Sequence, residues 1–241
     1  MKHEMAMTTN VRRFLAAVRE LTDRFYGSEG MGLLWGLPGE GKSTTVAYAT
    51  NTLDGIFLRA NACWNVTALL QALCLELGQP RGRFKNPMID ACGKCLMEQP
   101  RPIFIDEADY LLRQPDMLDV MRDIYDNTGS PVLLIGMETF ARKVQTIGEG
   151  RFARRVSQWV EFRGISQADA RTLADTICEV GVEDDLLFAL YDAARANIGR
   201  MTLGLSRIEQ FARVNKLKSV SLKQWGDRPF FFDQPTFRRK R

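Results

Sequence analysis

Imidazole is almost missing from this chain: among 241 residues there is one histidine, His3. The pair Cys92-Gly93-Lys94-Cys95 therefore has no histidine nearby and no second cysteine pair at zinc-ligand spacing. It reads as two thiols on a helix, not as a metal or redox site. Long apolar runs are also missing. The longest, Ile103-Phe104-Ile105 and Val132-Leu133-Leu134-Ile135, are far too short to span a bilayer. No apolar segment follows Lys2, so neither a signal peptide nor a membrane partner is expected. The five cysteines, Cys63, Cys74, Cys92, Cys95 and Cys178, then point to free thiols in a reducing compartment, the cytoplasm. Internal repeats and low-complexity segments are absent as well.

What is present suits a soluble globular protein. Apolar residues make up 45% and charged residues 26%, too apolar for a disordered chain. The length allows one large domain, or one domain with a small appendage. The net charge of +4 is unevenly spread. Residues 1–200 carry 23 Lys/Arg against 26 Asp/Glu, whereas residues 201–241 carry 10 against 3 and end in Arg238-Arg239-Lys240-Arg241. Such an end fits contact with a polyanion such as nucleic acid, or a solvated tail that aids solubility.

Periodicity gives the layout. Val11, Phe14, Leu15, Val18, Leu21 and Phe25 share one face of a helix running to about residue 26. Buried strands are expected at residues 31–35, 56–58, 102–105, 132–135 and 159–162. Helices are expected from about residue 41, across the stripe Val66, Leu69, Leu70, Leu73 and Leu77, and at 87–98, 115–126 and 139–147. From residue 167 onward the pattern reads as helices only, at 167–179, 184–195 and 200–215. Alternating strands and helices imply a parallel sheet covered on both faces, an α/β fold, with a small helical lid behind it. The expected divisions are 1–28, a helix leading into the core; 29–164, the core; 165–217, the lid; and 218–241, a basic tail.

Two motifs carry chemistry. Gly36-Leu37-Pro38-Gly39-Glu40-Gly41-Lys42-Ser43, followed by Thr44, matches G-x-x-x-x-G-K-[ST] between an apolar strand and a helix. Glycines let backbone N–H groups turn toward phosphate oxygens, and the helix adds its positive end. Lys42 would neutralise β- and γ-phosphate charge and Ser43 would ligate Mg²⁺, so ATP and Mg²⁺ are the expected ligands. The second motif, Ile103-Phe104-Ile105-Asp106-Glu107, is an apolar strand ending in two carboxylates. Asp106 would hold the hydrated Mg²⁺, and Glu107 would orient and polarise the attacking water as general base.

Together these segments resemble the Walker A and Walker B motifs of AAA+ ATPases. The strand at 131–136, the cluster Arg151, Arg154 and Arg155, and the trailing helices keep the order that this family implies. More narrowly, residues 10–14, 31–36 and 133–140 resemble the B-type target-capture ATPases of Mu-like transposable phages. The likeness covers roughly residues 10–215. It implies a P-loop NTPase that assembles on double-stranded DNA as a ring or helical filament and delivers it to a transposase, in the host cytoplasm if phage-encoded. It also implies an arginine finger reaching a neighbouring subunit's γ-phosphate, with Arg155 the first choice and Arg154 the second. Arg200 resembles the sensor-2 arginine of the lid, with Arg207 as rival and a plain surface charge as the alternative. The polar sensor after the fourth strand is a departure: Met137 stands there, so Glu138 or Thr139 serves or the role is weak. Such phage proteins begin with a small DNA-binding domain; here the cradle starts only 35 residues in, so that domain is expected to be missing or supplied otherwise. DNA contact then falls to the ATPase body: the basic loop of Arg81, Arg83, Phe84 and Lys85, if it is not simply solvated, together with Arg238–Arg241. Two further functions fit the same residues, a scaffold that binds ATP and DNA but barely hydrolyses, and a replication initiator or helicase loader.

Overall fold

The computed structural model describes residues 1–25 and 27–232; the basic end Arg238, Arg239, Lys240 and Arg241 lies outside them. The chain divides into two compact units, Asn10–Arg163 and Met1–Thr9 together with the residues from Gly164 onward.

The first unit is built on α1 (Thr9–Thr22), β1 (Met31–Gly36), α2 (Lys42–Thr52), β2 (Ile56–Arg59), α3 (Val66–Glu76), α4 (Lys85–Glu98), β3 (Ile103–Asp106), α5 (Asp116–Thr128), β4 (Val132–Gly136), α6 (Glu138–Val144) and β5 (Val156–Phe162). The five strands form one sheet in the order β2-β3-β4-β1-β5, every pairing parallel. A parallel strand covered on both faces must be apolar on both, which is why the strands read as unbroken apolar runs. Alternate residues feed two cores. Leu33, Ile103, Ile105 and Leu134 pack with α3, α4 and α5. Leu34, Phe104, Leu133 and Ile135 pack with Phe14, Val18 and Leu21 of α1 and Val46 and Ala49 of α2. The α1 stripe stops at Thr22, and Phe25, placed on it by periodicity, is 89% exposed.

All five strands point the same way, so their C-terminal ends share one edge of the sheet, where ligands bind in folds of this type. The connections following β1, β3 and β4 leave from that edge. Val156 pairs with Met31, so the residues just before β5 lie at the opposite edge.

The second unit holds α7 (Gln167–Ile177), β6 (Gly181–Val182), α8 (Asp184–Ala194), α9 (Ile198–Val214), β7 (Ser219–Val220) and α10 (Leu222–Trp225) around Leu173, Leu186, Leu190, Leu205 and Ile208. The helices-only expectation misses the parallel pair β6–β7. Two residues per strand are too few for periodicity to register. The stretch expected as a tail from residue 218 instead starts with β7 and α10, and its Trp225 is buried in this core. Ser166 caps α7 in a reciprocal box with Asp169, whose carboxylate also accepts from the Thr9 N–H at 2.7 Å and the Thr9 hydroxyl at 3.0 Å. Burial alone would raise the Asp169 pKa; the hydrogen bonds from Thr9 and Ser166 outweigh it and hold the carboxyl below its usual range.

Candidate active site

The cradle begins at Gly36, where a Cβ would sit 2.5 Å from the Phe162 carbonyl oxygen, closer than any side chain can come. Gly39 and Gly41 then take left-handed φ angles of 80° and 82°, which turn the loop back on itself and into α2. Gly41 caps α2 without a side-chain hydrogen bond, so the first-turn N–H groups keep their capacity to bind an anion. The Lys42 ammonium lies over the loop, donating to the carbonyls of Gly36 at 2.7 Å and Leu37 at 2.9 Å. Burial lowers its pKa, and the fields of Asp106, Glu40, Asp109 and Glu107 act in the opposite direction. Four carboxylates are thus near enough to be felt by one lysine. Ser43 and Thr44 are exposed at the start of α2, and Glu40 is buried.

At the end of β3, Asp106 is 3% exposed. Its Oδ1 accepts from the Glu107 N–H at 2.9 Å, while Oδ2 is buried with no hydrogen-bond partner among the described residues. A buried carboxylate oxygen left unpartnered is costly unless something binds it. A hard divalent cation that prefers oxygen ligands answers that need, so the site fits Mg²⁺ held by Asp106 and Ser43. Glu107 takes a left-handed φ of 56°, strained for a side-chain-bearing residue and of a kind that clusters at functional sites.

Two partners at this edge were not legible in the sequence. Arg59, the last residue of β2, places its guanidinium 3.6 Å from the Glu107 carboxylate. The strand register Arg59↔Asp106 creates this meeting across 48 residues of chain. Asp109 accepts from the Met137 N–H at 3.0 Å and so ties the turn after β3 to the end of β4. Neither substitute for a sensor at Met137 shows a link to these groups: Glu138 pairs with Arg142 one turn along α6, and Thr139 is exposed.

The two finger candidates have different surroundings. Arg155 forms a fork with Asp126, through Nε at 3.0 Å and Nη2 at 3.3 Å, and reaches Glu29 through Nη1 at 3.0 Å. Arg154 is exposed and makes no hydrogen bond or ion pair among the described residues. In the second unit, Arg200 lies 4.1 Å from the Phe231 ring centroid and faces a cleft of about 860 Å³. Arg207 donates to the Phe230 carbonyl at 2.7 Å. Arg81, Arg83 and Phe84 precede α4, and Lys85 opens it instead of closing the loop. All three cations are exposed without partners among the described residues, and Phe84 is 80% exposed. The thiol of Cys92 faces Cys74 of α3, sulfur to sulfur at 3.4 Å, and burial pushes its pKa up.

Comparison with known proteins agrees with this layout. A family model for the AAA domain matches residues 23–144. Among solved structures the chain is similar to Cdc6p from Pyrobaculum aerophilum, with 17% identity and a TM-score of 0.67, over 91% of this chain and 66% of that one. It is similar to the Aeropyrum pernix ORC2 protein in its ADPNP–ADP complexes, with 15% identity and a TM-score of 0.73, over 93% and 68%. It is also similar to the Aeropyrum pernix ORC1 protein in complex with DNA, with 16% identity and a TM-score of 0.60, over 88% and 61%. At such identities the likeness is one of fold, and the chain spans less than two thirds of the Cdc6p and ORC1 chains. Among curated protein sequences, none matches.

Proposed function

Because the chain belongs to the AAA domain family, we propose that it is an ATP hydrolase that assembles on double-stranded DNA with ATP between copies and delivers that DNA to a transposase. The observation that carries the hydrolase reading is the shared sheet edge, where the phosphate cradle meets Asp106 with its unpartnered oxygen and Glu107 beside it. Lys42 takes up charge on the phosphates, and Glu107 draws the proton from the water that attacks the γ-phosphorus, giving ADP and phosphate. Mg²⁺, held by Ser43 and Asp106, supplies charge neutralisation of the phosphates when bound. Lys42→Ala is expected to weaken ATP binding by about 10²-fold, the loss of one or two charge-assisted bonds, in a chain that remains folded. Equilibrium dialysis checks this; parental affinity would remove the cradle assignment.

The sheet supports a site shared between copies. Arg154 and Arg155 precede β5 at the edge opposite the cradle. The six residues of β1 separate those edges by roughly 17 Å at about 3.3 Å per residue. Neither arginine serves its own chain's γ-phosphate, so a finger drawn from this pair acts on a neighbour. Arg155 is engaged by two carboxylates, which leaves Arg154 as the residue to reach across.

The DNA reading rests on Arg81, Arg83 and Lys85 around the exposed Phe84, cations without partners among the described residues beside an apolar ring. Phosphate contacts release counterions, so affinity is expected to fall steeply with salt and to vary little with sequence. Neutralising the three residues together should reduce the log-affinity against log-salt slope by about 2 to 3. Fluorescence anisotropy on two unrelated duplexes, with and without ATP, makes the measurement. Tight binding at high salt to one duplex only would mean base readout and would sink this account.

The transposase partner is supported by the resemblance of residues 10–14, 31–36 and 133–140. Stimulation of strand transfer into DNA carrying the ATP-loaded protein tests it. The fold neighbours that are ORC proteins favour the second reading, a replication initiator or helicase loader, which predicts no effect on strand transfer.

A further inference from the structure

Glu29, Tyr125, Asp126 and Arg155 form a polar cluster at the sheet edge remote from the cradle, where the hydrolytic chemistry has no use for them. Arg155 enters it from the short turn Ala153–Arg155, Glu29 from the segment before β1, and Tyr125 and Asp126 from the end of α5. The planar guanidinium is gripped on two sides: Asp126 takes Nε and Nη2, and Glu29 takes Nη1. Glu29 is itself located. Its other carboxylate oxygen accepts from the Tyr125 hydroxyl at 3.3 Å, that hydroxyl accepts from the Gly30 N–H at 2.7 Å, and the Glu29 carbonyl accepts from Ser157 at 2.8 Å. The cluster therefore joins the beginnings of β1 and β5 to the end of α5.

Its effect falls on Arg154. On one side of that residue Phe152 is 3% exposed and belongs to the core; on the other Arg155 is clamped. The Arg155 N–H closes the turn on the Phe152 carbonyl at 3.0 Å. Arg154 thus has a side chain without a partner among the described residues, leaving a backbone that is held before and after it. A group that must reach a reacting phosphate from another molecule needs such a base, because a misplacement of about 1 Å can cost 10²-fold in rate.

We propose that Glu29 and Asp126 are positioning residues for hydrolysis: by clamping Arg155 they hold the turn from which Arg154 of one copy reaches the ATP bound by the next. The inference rests on the proposed trans role of Arg154, and it makes Arg155 structural in the same chain. The cluster then connects the interface to the inner strand β1, whose far end carries the cradle.

The test uses Glu29→Gln/Asp126→Asn, which keeps side-chain volumes and removes both charges, and each single change in case the pair does not fold. ATP affinity is expected to stay within about twofold, while turnover at saturating ATP falls by about 10²-fold. The deciding measurement is mixing. The clamp variant has an intact cradle, and a Lys42→Ala chain has an intact clamp and Arg154, so turnover should recover at hybrid interfaces. A clamp variant that hydrolyses at the parental rate while Arg154→Ala is inactive overturns the inference and leaves the finger reading standing. A slow clamp variant that no proportion of Lys42→Ala chain rescues also overturns it, since the damage then lies in that chain's own fold. If Arg154→Ala itself turns over normally, the trans reading fails first, and the inference with it.

Discussion

An Arg154→Ala chain is expected to bind ATP as the parent does and to hydrolyse it about 10³-fold more slowly, or worse. Charge builds on the transferring phosphoryl group in the transition state, and a guanidinium supplied from outside the cradle stabilises it only then. Binding and turnover therefore separate. Arg154 fits this role because its guanidinium has no partner among the described residues, whereas Arg155 would have to break three hydrogen bonds, to Asp126 and Glu29, before it could reach anything. The strand register adds the geometric condition, since a residue preceding β5 lies at the edge opposite its own cradle. Mixing Arg154→Ala with Lys42→Ala should restore part of the activity at interfaces that pair an intact cradle with an intact arginine. Absence of recovery at every ratio, with mixed assembly confirmed by mass or labelling, would assign a complete site to each single chain.

Turnover should also fall by about 10²- to 10⁴-fold in Glu107→Gln, with ATP still bound. The amide keeps the side-chain volume but has no basic oxygen to take the proton from water. Binding survives because the contribution of Glu107 to Asp106 is a backbone one: its N–H, not its carboxylate, satisfies Oδ1 at 2.9 Å. The same substitution leaves Arg59 without its carboxylate, but both members of that pair are well exposed and 3.6 Å apart, so little stability is at stake. Single-turnover hydrolysis beside a nucleotide-binding titration separates the two effects. A rate equal to the parent's would move the base role to another group and restore the scaffold that binds ATP and DNA without much hydrolysis.

The glycine-rich loop after β1 was legible in the sequence because it is made by contiguous residues whose identity dictates their conformation: Gly39 and Gly41 adopt left-handed angles that few other residues accept, and Lys42 and Ser43 follow at once. The acidic end of β3 was legible for the same reason, as an apolar run emptying into Asp106 and Glu107. Helices on the sheet faces follow from stripes such as Val66, Leu69, Leu70 and Leu73, since burial of one face needs only a period of 3.6. Periodicity overran at Phe25, where the stripe continues in sequence after the helix has ended, and it was blind to β6 and β7, whose two residues each are defined by pairing and not by pattern.

Only the tertiary structure separates the surroundings of Arg154 from those of Arg155. The two are chemically identical neighbours, and nothing local distinguishes them. The difference comes from Glu29 and Asp126, which lie 126 and 29 residues away in sequence and reach Arg155 because α5 ends, and β1 and β5 begin, at one edge of the sheet. Arg59 on Glu107 and Asp109 on the Met137 N–H were likewise hidden, one set by the pairing of β2 with β3 and the other by the meeting of β3 and β4. Local sequence fixes backbone angles and the faces of helices and strands. Which charge meets which is settled by strand order and register, and these depend on the whole core closing at once.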